Sequence, residues 1–270
     1  MRSKVLFVLS LLFHLALASF GQETQLLIAS TKDKLCIGNL EFESRQGDSL
    51  LNYVGYSVLF SFTRKLPLFT FNTIFPNQLN NDGRIPARRS NRFIPVKLPN
   101  GMYSATNVDY QGSGYDRGHM VPAGDFTWNQ TLKDETFLYT NINPQSPNLN
   151  RGIWANLEDA IRKTVQQKQE HAHVVTGVVF EKKFTKKIGP DGMQVPFAFF
   201  KISYFPASKQ MFAFLFDNTV EYYNGVLTDF QVPVDFIEAI TGEDFFAKLP
   251  DHLEKNLEST IDRFKYANEK

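Results

Sequence analysis

The chain has 270 residues, of which 43% are hydrophobic and 21% are charged, with a net charge of +1. These values are ordinary for a globular protein and leave room for one domain with a sizeable core. Cys36 is the only cysteine, so an intrachain disulfide is excluded, and we interpret it as a buried small residue or a free thiol.

The N-terminus has the pattern of a secretory signal peptide. Arg2 and Lys4 precede an apolar run from Val5 to Ala18, and small-residue cleavage sites follow Ala18 and Gly21. The run is shorter than the roughly 20 residues of a membrane-spanning helix, which disfavours an uncleaved anchor. We therefore predict a secreted or periplasmic protein with no membrane segment in its mature form. Removal of the segment makes the net charge slightly negative.

Most predicted elements follow from hydrophobic patterning. Two aromatic, β-branched stretches around a Pro-containing break predict a hairpin, and three later stretches predict further strands. Three segments predict helices, the second of which ends at Thr241-Gly242. The strands are Tyr53–Thr63, Leu68–Ile74, His173–Phe180, Phe197–Phe205 and Met211–Phe216, and the helices are Gly152–Gln169, Val234–Ile240 and Leu253–Tyr266. Strands and helices are interspersed without a regular βαβ period, which predicts an α+β domain with a central antiparallel sheet.

The domain boundaries follow from the same patterns. We predict a signal peptide over residues 1–21, a polar and poorly ordered lead-in over 22–50, the main domain over 51–258 and a helical tail over 259–270.

Basic residues cluster in two places although the whole chain is nearly neutral. Four arginines and a lysine occupy a loop-rich stretch, which favours phosphate contacts over a merely solvated loop. A lysine group further along is more typical of exposed charge. The first group is Arg84, Arg88, Arg89, Arg92 and Lys97, and the second is Lys182, Lys183, Lys186 and Lys187.

The densest group of reactive side chains lies in three nearby segments. They are Tyr115–Met120, with the sequence YDRGHM; Thr140–Gln145, with TNINPQ; and Leu149–Arg162, with LNRGIWANLEDAIR. Phosphodiester hydrolysis needs a base for water, positive charge on the phosphoryl oxygens and a cation near the leaving oxygen. A neutral imidazole can serve as the base, and arginine guanidinium groups can supply the positive charge. An Asn carbonyl with a nearby carboxylate can hold the cation.

Spacing limits how the candidate metal ligands cooperate. On one helix, Asn150 and Glu158 would be separated by about 12 Å of rise and about 80° of rotation. Glu158 is therefore better placed to bind metal-coordinated water than the ion itself. Arg162 follows Glu158 by four residues, so the two side chains share a helix face and can pair.

These segments resemble the DNA/RNA non-specific endonucleases, the group that includes mitochondrial endonuclease G. The similarity extends from about Tyr53 to about Leu257 and includes TGEDFFAKLP over 241–250. The resemblance implies a ββα-metal fold, hydrolysis of both DNA and RNA, 5′-phosphate products and Mg²⁺ as cofactor, with Mn²⁺ as a substitute. It implies contact with the nucleic-acid backbone rather than the bases.

The resemblance also implies a role for each site residue. His119 stands at the general base, Asn150 at the direct magnesium ligand and Glu158 at the carboxylate that binds metal-coordinated water. Arg162 stands at a phosphate-binding or transition-state arginine. Asn141 matches an Asn that supports the site, and Arg117 is the arginine of DRGH. Arg89 matches an upstream arginine of the family, although Arg88 and Arg92 compete for that position. We interpret Asp116 as structural, fixing the segment that presents His119.

Other interpretations stay open at this point. A non-catalytic nuclease-like module is disfavoured because His119, Asn150 and Glu158 are all present. A toxin or effector with a narrower target cannot be separated from a scavenging or defensive nuclease. A homodimer and a protein inhibitor are both compatible with the sequence. His171 and His173 are predicted to be structural, and without a further Cys or His they do not indicate zinc.

Overall fold

The computed structural model describes residues 27–28, 35–37, 40–42, 47–79, 85–98, 101–180, 186–219 and 221–266. The predicted signal peptide, together with Arg84, Lys182 and Lys183, lies outside the described residues.

The described chain contains strands and helices in a mixed order. The strands are β1 Leu27–Ile28, β2 Leu35–Ile37, β3 Leu40–Phe42, β4 Asp48–Asn52, β5 Tyr56–Ser61, β6 Leu66–Ile74, β7 Asp116–His119, β8 Ile142–Gln145, β9 Ala172–Val179, β10 Lys187–Ile188, β11 Met193–Gln194, β12 Ala198–Phe205, β13 Gln210–Asp217 and β14 Gln231–Val232. The α-helices are α1 Pro76–Leu79, α2 Asn107–Tyr110, α3 Gln130–Glu135, α4 Trp154–Lys168, α5 Val234–Thr241 and α6 Asp251–Ser259.

One large sheet organises the molecule. Its strand order is β1-β4-β5-β6-β9-β12-β13-β14, and neighbouring strands are antiparallel throughout. The predicted hairpin is confirmed as β5 and β6, and three further predicted strands are confirmed as β9, β12 and β13. The α+β class with a central antiparallel sheet is therefore confirmed.

The two faces of the sheet carry separate cores. Strand β12 alternates, so that Phe199 and Phe205 pack on the side of α4, whereas Phe200 and Ile202 pack on the side of α5 and α6. Both faces of β12 are buried along its whole length. This explains the abundance of phenylalanine, which fills the core on each side of the sheet.

A smaller ββα unit lies beside the large sheet. Strands β7 and β8 pair antiparallel, with Asp116 opposite Gln145 and His119 opposite Ile142. An irregular turn over Leu149–Ile153 then leads into α4. The helix packs Trp154, Leu157, Ile161 and Val165 against the sheet, a spacing that places all four on one face.

Three sequence expectations need correction. The helix predicted over Leu253–Tyr266 ends at Ser259, because the chain is extended at Thr260 and carries the buried Phe264 onto Phe212 and Phe214 of β13. The tail is therefore not helical over 260–266. The helix predicted from Gly152 begins at Trp154, since Gly152 has non-helical backbone angles. The lead-in contributes strands, and β4 extends across its predicted end at residue 50.

Within the described ranges, no helix is long and apolar enough to cross a bilayer.

A glycine at the centre of the sheet gives a test of this packing. Gly177 of β9 lies between Phe69 and Phe200, and a Cβ atom there would lie 2.6 Å from Phe69 Cδ1 and would overlap the ring of Phe200. We expect Gly177→Ala to lower the free energy of unfolding by about 1–3 kcal/mol, measured by urea denaturation. Adding Phe200→Leu should recover part of that loss, and two fully additive losses would contradict the overlap.

Candidate active site

His119 is the last residue of β7, and the backbone that follows it is fixed by Asn141. Met120 N donates to the carbonyl of Asn141 at 2.9 Å, and Val121 N donates to Asn141 Oδ1 at 3.0 Å. Asn141 Nδ2 in turn donates to the carbonyls of Val121 and Thr136 at 2.9 Å. Asn141 is fully buried, so these bonds give the segment after His119 a single conformation.

The glycine of DRGH is required by the pairing of the two short strands. A Cβ atom at Gly118 would overlap the side chain of Gln145 on β8. Only glycine therefore allows β7 to approach β8 closely enough to present His119 in this position.

The His119 ring lies in an aromatic cradle formed by Phe93 and Phe137. Its centroid is 5.6 Å from that of Phe93 and 4.8 Å from that of Phe137. Its Nε2 atom is buried and has no hydrogen-bond partner among the described residues. Burial, followed by the charges of Arg89 and Arg117, lowers the pKa of His119 from 6.5 to about 3.

Two arginines lie over the rings of this cradle. The Arg89 guanidinium is 5.0 Å from the Phe137 ring centroid, and that of Arg117 is 4.3 Å from the Phe93 ring centroid. Arg117 also donates to Asn107 Oδ1 at 2.7 Å. Of the competing upstream arginines, Arg89 is the one whose charge acts on His119. This supports Arg89 over its neighbours as the residue at the site.

Asp116, at the start of β7, orients Asn150. Asn150 Nδ2 donates to Asp116 Oδ2 at 2.9 Å, and Arg151 binds both carboxylate oxygens at 2.7 and 2.6 Å. Burial by itself would raise the pKa of Asp116, but the bonds from Arg151 and Asn150 outweigh it and lower the pKa. Asn150 Nδ2 is occupied by this bond, whereas Asn150 Oδ1 has no donor partner within the described ranges and is available to bind a cation.

Glu158 lies on α4 with Lys201 and Arg162 nearby. Burial raises the pKa of the Glu158 carboxyl, and the charges of Lys201 and Arg162 oppose that rise. Arg162 does not bond Glu158 as its spacing suggested. It instead donates from Nη1 to Asp125 Oδ1 at 2.9 Å and from Nη2 to Asp159. The kink at Gly152 also means that Asn150 and Glu158 do not share one regular helix.

The two other candidate histidines and the described lysines of the second basic group lie outside this cluster of side chains. The His171 ring stacks on Phe75, and the His173 ring stacks on Phe71. Lys186 lies 4.8 Å from the Tyr115 ring centroid, while Lys187 is exposed. These contacts fit the structural interpretation of the two histidines.

The sequence profile of the DNA/RNA non-specific endonucleases matches residues 37–252, which is most of the chain. The chain belongs to this family. It is similar to mitochondrial nuclease 1 of Schizosaccharomyces pombe, with 33% identity over 79% of this chain and 70% of that protein. It is also similar to a nuclease of Nostoc, with 34% identity over 68% and 70% of the two chains.

Endonuclease G provides a further comparison. The human mitochondrial enzyme is 32% identical over 65% of this chain and 62% of its own length. A solved structure of the EndoG/EndoGI complex matches with a TM-score of 0.67 and 25% identity, covering 80% of this chain and 91% of that one. This endonuclease is accordingly a metal-dependent, non-specific nuclease that hydrolyses phosphodiester bonds in DNA and RNA.

Sequence reasoning missed several residues around the site of the endonuclease. Phe137 lies in a turn and gave no local signal, and Asp125 lies in the short 3-10 helix Ala123–Phe126, where its pairing with Arg162 was not foreseen. Lys201 did give one, as the single charge within the apolar strand AFFKISYF. A charged residue in a strand that is buried on both faces indicates a polar partner in the fold.

The ionisation of His119 can be measured directly. We expect its imidazole to stay neutral from pH 8 to pH 5 in the free endonuclease, with no titration shift in its NMR signals. Because the folded pKa is below the unfolded value, the unfolded chain binds more protons, and this group lowers stability as pH falls from about 6.5 to about 3. A midpoint near pH 6.5 would contradict the buried, arginine-flanked environment.

Proposed function

We propose that the endonuclease uses His119 as general base and a magnesium ion bound directly by Asn150, and that it leaves 5′-phosphate ends. The observation that carries this proposal is the arrangement of β7. One short strand presents His119 at its end and Asp116 at its start, and Asp116 orients the Asn150 carboxamide. The base and the metal ligand thus belong to one rigid unit.

The donor set suits a hard cation. Asn150 Oδ1 is a neutral oxygen ligand, and Glu158 adds a carboxylate on the neighbouring helix that can bind metal-coordinated water. Few protein ligands and several retained waters are typical of Mg²⁺, and Mn²⁺ accepts the same oxygens. When bound, the ion would neutralise charge on the phosphoryl and leaving oxygens.

The cradle around His119 explains how a weak base becomes effective. In the free protein burial disfavours the protonated imidazole most strongly, and the charges of Arg89 and Arg117 add to this effect. A phosphodiester bound by these arginines brings negative charge that offsets theirs. The proton affinity of His119 then rises when substrate is present, and the ring accepts a proton from the attacking water.

Asn141 and Arg162 complete the proposal. Asn141 holds the backbone that carries His119. We assign Arg162 the role of stabilising the negative charge of the transition state near Glu158. Its ion pairs with Asp125 and Asp159 fix its position, and burial leaves it only 17% exposed. A fixed guanidinium costs no reorganisation when charge develops on the phosphate.

The test is digestion of supercoiled plasmid and of RNA, followed by identification of the ends. We expect cleavage of both with Mg²⁺ or Mn²⁺ and none in excess chelator. The DNA fragments should be joined by DNA ligase without prior kinase treatment, because their 5′ ends carry phosphate. Fragments that need kinase treatment would contradict the proposed bond cleavage, and intact substrates with every divalent ion would favour a non-catalytic module.

The location of the protein is a separate proposal. The pattern of residues 1–21 supports export to the periplasm or medium. N-terminal sequencing of the protein recovered outside the cytoplasm should begin at Ser19 or Gln22. A mature protein that retains Met1 would contradict it. Formation of a homodimer and binding of a protein inhibitor both remain predictions.

A further inference from the structure

A lysine is buried in the central sheet directly beneath the site. Lys201 lies in the middle of β12 and is 1% exposed. By strand alternation it faces α4, on the same side as Phe199 and Phe205. An ammonium group in such a position loses its hydration, which is unfavourable unless protein groups replace the lost water.

The contacts of the ammonium connect it to the His119 segment. Lys201 Nζ donates to the carbonyl of Met120 at 3.3 Å and to Thr176 Oγ1, its cross-strand neighbour on β9. Met120 follows His119, and its N–H is bonded to Asn141. The peptide groups on both sides of Met120 are therefore fixed, one by Asn141 and one by Lys201.

The same ammonium also lies near the start of α4. Lys201 Nζ is 4.8 Å from the ring centroid of Trp154, the first residue of α4. Its charge interacts with the carboxylates of Glu158 and Asp125. Lys201 thus hydrogen-bonds the residue that follows the base, and its charge acts on the Glu158 carboxylate of α4.

Packing alone does not explain a charge at this position. A methionine or leucine would fill the same space between β9, β12 and α4 without any desolvation cost, and buried charges are often replaceable by apolar residues without loss of stability. The Lys201 charge has two partners at the site. Glu158 belongs to the proposed site, and Met120 adjoins it. This points to a role in the site rather than in the core.

We propose that Lys201 is a positioning residue of the nuclease site, which orients His119 through the Met120 carbonyl and supplies a fixed positive charge beside Glu158. The inference rests on the proposed roles of His119 and Glu158. It assigns the buried lysine no contact with substrate.

The variant Lys201→Met keeps an unbranched side chain that is one atom shorter and removes the charge. For the full mature chain with Mg²⁺ and plasmid DNA, we expect kcat to fall about 100-fold with KM changed less than about threefold, because the lost interactions act on the reacting groups. Phe199→Leu is the matched control on the same face of β12. It should lower the melting temperature and keep kcat within about threefold of the parent.

A double-mutant cycle separates positioning from a general structural effect. In a Glu158→Gln background, Lys201→Met should lower kcat by less than about tenfold, because part of its effect acts through Glu158. An equal loss of kcat in both backgrounds would overturn the inferred coupling between Lys201 and Glu158. If Lys201→Met does not fold, Thr176→Val tests the same point, since it removes the hydrogen bond to Nζ with little change of shape. A folded Thr176→Val with the parent kcat would contradict the inference.

Failure of this inference is distinguishable from failure of the proposed function. If the parent chain cleaves and depends on His119, but Lys201→Met cleaves at the parent rate, only the role of Lys201 is wrong. If the parent chain does not cleave with any divalent ion, the proposed function itself is wrong.

Discussion

His119→Ala is expected to lower the rate of both DNA and RNA cleavage by about 1,000-fold, within the usual range for removal of a general base. The ring contacts Phe93 and Phe137 but bonds no described side chain through Nε2, so its loss leaves the backbone bonds of Asn141 intact. Affinity for nucleic acid should change little, because Arg89 and Arg117 remain. The rates come from single-turnover cleavage with saturating Mg²⁺.

Two comparisons make the result specific. His252→Ala removes an exposed histidine from α6 and should cleave at the parent rate. Added imidazole should restore part of the activity of His119→Ala, because a small base can occupy the cavity in the cradle. The base assignment is wrong if His119→Ala cleaves within about threefold of the parent, well above the loss expected for a missing base.

Asn150→Ala should have an effect of similar size through the metal. In the proposed site the carboxamide of Asn150, on the turn before α4, is the direct oxygen ligand, and Asp116 orients it. Its removal should raise the Mg²⁺ concentration for half-maximal activity by more than about tenfold and lower the maximal rate by about 100-fold. Activity as a function of Mg²⁺ concentration gives both quantities.

Asn156→Ala is the matched control for this change. Asn156 is exposed on α4, two residues before Glu158, and should show the Mg²⁺ dependence of the parent. Asp116→Ala should resemble Asn150→Ala in weaker form, because the amide would lose its orienting partner but keep its oxygen. A parent-like Mg²⁺ curve for Asn150→Ala would contradict direct ligation.

Much of the fold was predictable because local patterns agree with it. The hairpin β5–β6 and strands β9, β12 and β13 are rich in aromatic and β-branched residues, and α4 carries a regular apolar face. The strand order was not predictable, since β9 lies between β6 and β12 through contacts distant in sequence. The end of α6 at Ser259 depends on Phe264 reaching β13, which is again a tertiary effect.

Candidate site residues could be named from the sequence, but the contacts between them could not. The motif and its family resemblance named His119, Asn150 and Glu158. Asn150 bonds Asp116, which is 34 residues away in sequence, and Arg162 bonds Asp125, which is 37 residues away. Glu158 and Arg162 interact through their charges, as their spacing predicts, but they form no direct ion pair, because Asp125 and Asp159 occupy both guanidinium amino groups.

In the proposed mechanism His119 and Asn150 serve one metal site. The most direct measurement is titration of the protein with Mn²⁺ while the NMR signals of its histidine rings are observed. Our account predicts that substoichiometric Mn²⁺ broadens the His119 signals before those of exposed His252, and that Asn150→Ala abolishes this selectivity. Unchanged His119 signals, or the same broadening in Asn150→Ala, would contradict it.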